Sequence, residues 1–221
     1  MQIRRRFPFL VLLFALMSGL PSVPAQEGSA QQTLDDQVRK FLKEHEASWQ
    51  DMNIPPRDGQ FLYDLIVQNG YTRALEIGTS TGHSAIWIAW ALSKTGGRLT
   101  TIEIDEDRHA QALENFRKAG LSEFIDARLA DAHDLVRELK GPFDFVFSDA
   151  DKGWYEQYFA DLAPKMTVGG CYTTHNIPMR RGELRGSARE YVDFLMSHKN
   201  FETTVESSRS TGIAVTYKRS P

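Results

Sequence analysis

Apolar and polar positions change their period repeatedly along this chain, and from residue 73 onward the pattern predicts strands that alternate with helices. Short apolar runs bounded by glycine or polar residues predict the strands. Apolar residues three or four positions apart predict the helices between them. The predicted strands are 73–78, 98–105, 126–131, 143–149, 170–176, 201–208 and 212–219, and the predicted helices are about 83–94, 107–119, 132–140, 153–164 and 185–199.

This alternation predicts an α/β fold in which a mostly parallel, seven-stranded sheet has helices on both faces. Only Ser208 to Thr211 join the last two strands, which is too short for a parallel crossover, so these strands should form an antiparallel hairpin. Two amphipathic helices are predicted before the first strand, around Leu34 to Trp49 and from Pro55 onward. They could cover a ligand site, form a subunit contact or only pack.

Residues 1–25 have a different pattern, which predicts a signal peptide followed by one domain, 26–221. Three arginines at positions 4–6 precede an apolar stretch, 7–20, that is too short to span a bilayer comfortably, and small residues follow at 23–25. The pattern predicts an exported protein, periplasmic or extracellular, without a stable membrane span. An uncleaved amphipathic anchor is the alternative.

The composition of the predicted mature domain excludes one class of ligand and one kind of covalent cross-link. Removing residues 1–25 takes three of the 26 basic residues and none of the 29 acidic ones, which leaves a net charge of −6. Such a surface is not suited to nucleic acid. The single cysteine, Cys171, excludes an intramolecular disulfide, and its place in an apolar strand favours a buried structural thiol.

The stretch Arg73 to Ser84 predicts a strand, a glycine turn and the start of a helix. Gly78 ends the strand and Gly82 follows four residues later. Glycines suit a turn in which the backbone approaches a ligand closely, and the helix start offers unpaired N–H groups. The spacing is neither the dinucleotide fingerprint nor a phosphate loop, so a pyrophosphate is not indicated.

Two acidic residues stand where a nucleoside ligand would meet them. Glu76 lies at the end of the first strand, where a carboxylate suits an ammonium group, and Glu103 ends the second strand at the usual place of a ribose-binding acid. An adenosine that carries an amino acid would fit both residues. The alternative is an ordinary α/β unit with a tight turn and two surface acids.

Further polar residues follow the fourth and fifth strands, at Asp149, Lys152, His175 and Asn176. The carboxyl ends of parallel strands form the edge at which open α/β sheets bind ligands, so these side chains should share one crevice with Glu76 and Glu103. Helix capping would also explain Asp149, and a turn before Pro178 would explain Asn176.

Four strings together resemble the cation-dependent O-methyltransferases of the catechol and caffeoyl-CoA type. They are D-M-N-I-P-P-R-D-G-Q-F-L from residue 51, L-E-I-G-T-S-T-G-H-S-A-I-W-I-A from 75, F-V-F-S-D-A-D-K-G-W-Y from 145 and G-G-C-Y-T-T-H-N from 169. The resemblance implies a Rossmann-like S-adenosylmethionine (SAM) methyltransferase that acts on a hydroxyl of a small aromatic, catechol-like acceptor. Relatives of this type are commonly homodimers.

The resemblance also implies roles for individual residues. Lys152 would be the catalytic base, and a divalent cation would be held by Asp149, His175 and Asn176. The implied cofactor contacts are Ile54, Glu76, Gly78, Thr79, Ser84, Glu103, Ala132 and Asp149.

One departure from the family pattern affects the cation, because His175 stands where the family has aspartate. Magnesium prefers oxygen ligands whereas imidazole suits zinc, iron, nickel or copper, so the substitution either changes the metal or abolishes the site. If no metal binds, His175 could itself act as the base, or it could merely hydrogen-bond at the strand end.

Two alternative functions remain at this stage. One is an exported domain that keeps the fold without catalysing a reaction, since a charged cofactor made in the cytosol does not cross a bilayer unaided. The other takes Asp149-Ala150-Asp151 as the D-x-D of a metal-dependent glycosyltransferase, but it leaves Glu76 and the glycine turn unexplained.

Overall fold

The computed structural model describes residues 25–49, 52–180, 182–206 and 211–221. Residues 1–24 of the predicted signal peptide lie outside this part of the chain, as does most of the predicted turn between the last two strands. Within the described ranges, no helix combines the length and the apolar character that a membrane crossing requires.

Helices and strands alternate after two N-terminal helices. The helices are α1 (Ala25–Glu44), α2 (Pro56–Asn69), α3 (His83–Thr95), α4 (Glu106–Ala119), α5 (Ala132–Glu138), α6 (Tyr155–Leu162) and α7 (Gly186–Ser197). The strands are β1 (Arg73–Ile77), β2 (Arg98–Glu103), β3 (Ile125–Leu129), β4 (Phe143–Ser148), β5 (Met166–His175), β6 (Met179–Arg180), β7 (Glu183–Leu184), β8 (Phe201–Glu206) and β9 (Ile213–Lys218).

Seven strands form the main sheet in the order β3-β2-β1-β4-β5-β9-β8. The strands from β3 to β5 run parallel, whereas β9 pairs antiparallel with both β5 and β8. The predicted fold class is therefore confirmed, including the C-terminal hairpin. The order reverses between β1 and β4, and this switch opens a crevice at the carboxyl ends of the strands.

The structure differs from the predicted elements in two places. The short hairpin of β6 and β7 was not predicted, because its segment is rich in arginine and glycine and has no clear alternation. Strand β5 begins at Met166 rather than at 170, since it pairs with the start of β4 across an irregular register. Cys171 is buried in β5, as predicted, and burial raises the pKa of its thiol.

The sheet separates two hydrophobic clusters. Ala74 of β1 packs with the cluster under α1 to α4, whereas Leu75 and Ile77 pack with the cluster under α5 to α7. Helix α3 is buried continuously from His83 to Leu92 because α2 covers the side of it that faces away from the sheet. The two N-terminal helices thus complete one layer of the core and bring the start of α2 to the crevice.

Gly59 of α2 packs directly against the Trp87 ring of α3, and we expect Gly59→Ala to destabilise the protein by about 1–3 kcal/mol. A Cβ at this position would lie 2.2 Å from Cδ1 of Trp87, which has no room to move inside the core. Urea unfolding followed by circular dichroism would measure the change in the free energy of unfolding. Gly153→Ala is the matched control because its Cβ would meet its nearest neighbour at an ordinary 3.5 Å. A Gly59→Ala protein as stable as the control would contradict this packing.

Candidate active site

A cavity of about 760 Å³ lies at the carboxyl ends of β1, β2, β4 and β5. Of the residues predicted to share a crevice, it is lined by Glu103, Asp149, Lys152, His175 and Asn176, and Glu76 is buried beneath it. Among the remaining implied cofactor contacts, Gly78 and Ala132 line the cavity, whereas Ile54, Thr79 and Ser84 are buried behind its wall.

The turn after β1 approaches the end of β4 so closely that glycine is required at residue 78. Gly78 has a φ of 93°, and a Cβ there would lie 2.7 Å from the Cβ of Ala150. The N–H groups of Gly78 and Thr79 both donate to the carbonyl oxygen of Ile102, which holds the turn against β2. This glycine therefore brings the loops of β1 and β4 together at the centre of the cavity.

Glu76 is fully buried at the end of β1, directly under this turn. The hydroxyl of Thr101 donates to Oε2, but no described residue donates a hydrogen bond to Oε1. Burial raises the pKa of Glu76 to about 8, although the hydroxyls of Ser84 and Thr101 oppose the rise. The carboxyl group is therefore largely protonated at neutral pH until a cation comes near it.

Glu103 is held by backbone N–H groups from two loops. Its Oε2 accepts a hydrogen bond from the N–H of Ser80 at 2.7 Å, and its Oε1 accepts from those of Ile104 at 3.1 Å and Asp105 at 3.0 Å. This carboxylate thus joins the turn after β1 to the end of β2, and its position is fixed in the absence of ligand.

A buried histidine and two aspartates form the inner wall of the cavity. In His175, Nδ1 lies 3.0 Å from Oδ2 of Asp149, and Nε2 lies 3.0 Å from Oδ2 of Asp58. Burial lowers the pKa of His175, but the hydrogen bonds to the two aspartates outweigh it and raise the pKa to about 9. The hydroxyl of Thr211 also lies 2.6 Å from Nε2. His175 therefore carries a positive charge at neutral pH.

Asp58 is a site residue that the sequence pattern did not indicate. It stands in the first turn of α2, where an acidic residue has an ordinary explanation in the helix dipole. Its side chain is instead fully buried against His175. The string that carries Asp58 was part of the family resemblance, and this was the one signal that could have drawn attention to it.

Lys152 opens a short 3-10 turn before α6 and lines the cavity. The two carboxylates beside it in the sequence are engaged elsewhere, since Asp151 accepts from Nε2 of His133 at 2.9 Å and Asp149 faces His175. Within the part of the chain that the structure describes, no hydrogen bond or ion pair holds the ammonium group of Lys152. This lysine is therefore available to a ligand in the cavity.

His83 has a structural role next to the site. Its Nε2 accepts a hydrogen bond from the indole N–H of Trp87, and its Nδ1 donates to the carbonyl oxygen of Ile54. Burial lowers the pKa of His83 to about 4, so the ring stays neutral. This arrangement anchors Ile54, an implied cofactor contact, to the start of α3.

The implied cation ligands do not form a fitting metal site. Across the described ranges, no group of three or more His, Cys, Asp or Glu side chains is arranged to hold a metal ion. In the implied set of Asp149, His175 and Asn176, Nδ1 of His175 faces Oδ2 of Asp149 and Nε2 faces Oδ2 of Asp58, so the histidine turns neither nitrogen to an ion shared with Asp149 and Asn176. Each ring nitrogen is already engaged by a carboxylate, and magnesium prefers an all-oxygen shell. No catalytic step is therefore assigned to a metal.

The sheet order, the glycine turn after β1 and the acid that ends β2 define a doubly wound α/β protein with a nucleoside-binding crevice at its switch point. A family model described as O-methyltransferase matches residues 26–186. The chain belongs to this O-methyltransferase family.

Two curated relatives support the family and its type. The chain is 42% identical to a catechol O-methyltransferase of Niastella koreensis over 118 residues, which cover 52% of this chain and 53% of that protein. It is 30% identical to caffeoyl-CoA O-methyltransferase 1 of Eucalyptus globulus over 172 residues, 72% of this chain and 69% of the relative. The match therefore spans about half of the Niastella protein. The predicted resemblance to the catechol and caffeoyl-CoA type is confirmed.

Solved structures resemble the chain along most of its length. An O-methyltransferase from Bacillus cereus in complex with SAH has a TM-score of 0.69 at 25% identity, covering 86% of this chain and 97% of its own. The O-methyltransferase TomG from Streptomyces achromogenes, in complex with SAM, has a TM-score of 0.67 at 24% identity and covers 90% of this chain and 100% of its own. The second likeness concerns the fold alone.

Proposed function

We propose that this chain transfers a methyl group from SAM to a hydroxyl of a small aromatic acceptor. The observation that carries the proposal is that one cavity is lined by Glu103 and Ala132 and also by Lys152 and His175. We assign the first pair to the adenosine of the cofactor, and the second pair offers polar groups to an acceptor. The names of the catechol and caffeoyl-CoA relatives support a hydroxylated aromatic acceptor.

The chemistry requires an oxygen nucleophile that is aimed at the methyl group and has lost its proton. A phenol has a pKa of about 10, so its ionisation near neutral pH costs roughly 4 kcal/mol. We assign this task to Lys152, which lines the cavity without a described partner: its ammonium form would stabilise the phenolate, and its neutral amine form would accept the phenolic proton. The protonated ring of His175 adds a positive charge that stabilises a phenolate in the same cavity.

In this proposal the cofactor contacts two acidic residues, Glu76 and Glu103. The ammonium group of its amino acid would approach Glu76 and favour the ionised carboxylate, and its ribose would meet Glu103.

We further propose, from residues 1–25 alone, that the protein is exported, and from the type of its relatives that it forms a homodimer.

Calorimetric titration with SAM and with its demethylated product, both in chelator, would test the proposed function. We expect one site per chain with micromolar affinity for both compounds. Transfer of a labelled methyl group to catechol and to caffeoyl-CoA would then identify the class of acceptor. Absence of binding to either compound would refute the proposal and would favour the non-catalytic domain or the D-x-D glycosyltransferase.

A further inference from the structure

We propose that the ring of His175 is the built-in cation of this active site, held between Asp149 and Asp58, and that the protein works without a divalent metal ion. The activity readout of this inference rests on the proposed function, whereas its metal-binding and spectroscopic readouts do not. Asp58 thereby becomes a positioning residue, because it acts through His175 and does not line the cavity.

The hydrogen-bond geometry sets the protonation of the ring. An ionised carboxylate can only accept hydrogen bonds, so a ring nitrogen 3.0 Å from a carboxylate oxygen must carry a proton. Such contacts occur on both edges of the His175 ring, and the hydroxyl of Thr211, which lies 2.6 Å from Nε2, donates to the same oxygen of Asp58 at 3.4 Å and can therefore accept from Nε2. The ring therefore carries two protons and one positive charge, and neither nitrogen has a lone pair for a metal ion.

Because these groups are removed from water, the positive charge of the ring is needed to offset the carboxylates. His175 is 3% exposed and Asp58 is fully buried, and a buried carboxylate next to a second one, without a cation between them, would be costly. The hydroxyl of Tyr155 donates to the carbonyl oxygen of His175, which fixes the end of β5. Three separate parts of the chain, α2, β5 and the loop after β4, are thus joined through one charged ring.

The same site should become a metal site when the ring is removed. A carboxylate at residue 175 would stand beside Asp149 and Asn176 and restore an oxygen donor set of the kind that Mg²⁺ and Mn²⁺ prefer. It would also leave three acidic groups, at positions 58, 149 and 175, without a positive charge among them. His175→Asp should therefore create a demand for a divalent cation that the wild-type protein lacks.

The first experiment titrates Mg²⁺ and Mn²⁺ into the full-length wild-type protein and into full-length His175→Asp, by calorimetry and by thermal unfolding. We expect no saturable binding and no change of Tm in the wild type at millimolar metal. In His175→Asp we expect binding at least tenfold tighter and a Tm that rises by several degrees. Lys199→Asp, at an exposed position just after α7, is the control for a new carboxylate elsewhere.

Activity in chelator is the second readout. Methyl transfer by the wild type should be unchanged by EDTA, whereas any activity of His175→Asp should depend on added metal. Cofactor titration is run in parallel, so that a protein that fails to bind SAM refutes the proposed function and not the metal-free site. Wild-type protein that binds one equivalent of Mg²⁺, Mn²⁺ or Zn²⁺ and loses this binding in Asp149→Ala would overturn the inference.

Nitrogen-15 spectra of the histidine rings give a readout that does not depend on the folding of His175→Asp. In the wild type at pH 7, the two ring nitrogens of His175 should both show the shifts of protonated nitrogens. Asp58→Asn should bind SAM with unchanged affinity but lose one of these protonated signals and part of kcat, whereas a purely structural residue would change stability and leave the signals as they are. A single protonated nitrogen in the wild type would contradict the proposed charge.

Discussion

Glu76→Gln is expected to weaken the binding of SAM by roughly 30- to 1,000-fold, which corresponds to about 2–4 kcal/mol. The carboxyl group is fully buried below the glycine turn, and its Oε1 has no hydrogen-bond donor among the described residues. In our proposal the ammonium group of the cofactor pairs with this carboxylate. A neutral amide would leave the ammonium buried without an opposite charge.

The pH dependence of binding gives this prediction a second measurement. Because the pKa of Glu76 is about 8 in the empty protein, an approaching cation has to displace a proton from most molecules at pH 7. Affinity should therefore rise between pH 6 and pH 8, and calorimetry in buffers of different ionisation enthalpy should detect the released proton. Glu138→Gln, at an exposed position of α5, is the matched control.

Glu76→Gln should weaken cofactor binding but increase the stability of the folded protein. Between about pH 4.5 and pH 8, folded Glu76 keeps a proton that the unfolded chain has lost, so the free energy of unfolding of the wild type falls as the pH rises through this window. Glutamine has no proton to lose. Glu76→Gln should thus be more stable than the wild type near pH 8, by on the order of a few kcal/mol, and this difference should shrink toward pH 5. Equal pH slopes in urea unfolding, together with unchanged affinity, would show that Glu76 has neither role.

Lys152→Met is expected to lower kcat by about 10²- to 10⁴-fold while the Kd for SAM stays within about threefold. The lysine lines the cavity beside the inner wall formed by His175, and neither neighbouring aspartate holds its ammonium group. Methionine keeps the length of the side chain and removes the amino group that stabilises the phenolate or accepts its proton. Single-turnover methyl transfer to catechol would measure the rate, and Lys140→Met is the exposed control.

A second variant separates the two ways in which Lys152 could act. Lys152→Arg keeps a positive charge but cannot give up its proton at any accessible pH. Residual activity close to that of the wild type would assign an electrostatic role, and a loss as large as that of Lys152→Met would assign proton transfer. Full activity of Lys152→Met would remove the lysine from the mechanism.

The sequence was sufficient for the fold because the main sheet is built from local signals. Strand β4 carries the apolar run Phe145 to Phe147, and α4 after β2 has a recognisable start in Asp105, which accepts from the N–H of Arg108. The order of strands then follows from general rules for α/β sheets. The hairpin of β6 and β7 escaped prediction because two-residue strands carry no measurable period.

The site was predicted only in part, because some of its interactions join distant positions. Asp58 and His175 are 117 residues apart, and nothing in the first turn of a helix indicates that its acid turns inward to meet a strand end. Asp151 is close to Lys152 in the sequence, but it pairs with His133, whose ring stacks on Trp154 at 3.6 Å. Short-range pattern therefore located the polar residues but did not determine which of them are partners.

The backbone contacts of Glu103 determine at which step, folding or ligand binding, the conformational entropy of its side chain is lost. A free glutamate samples many rotamers, and fixing one of them costs conformational entropy. Because three N–H groups already hold this carboxylate, that entropy is lost when the chain folds and not when a ribose arrives. An incoming nucleoside meets a hydrogen-bond acceptor that is already in its final orientation. The ribose site formed by Glu103 is therefore preorganised.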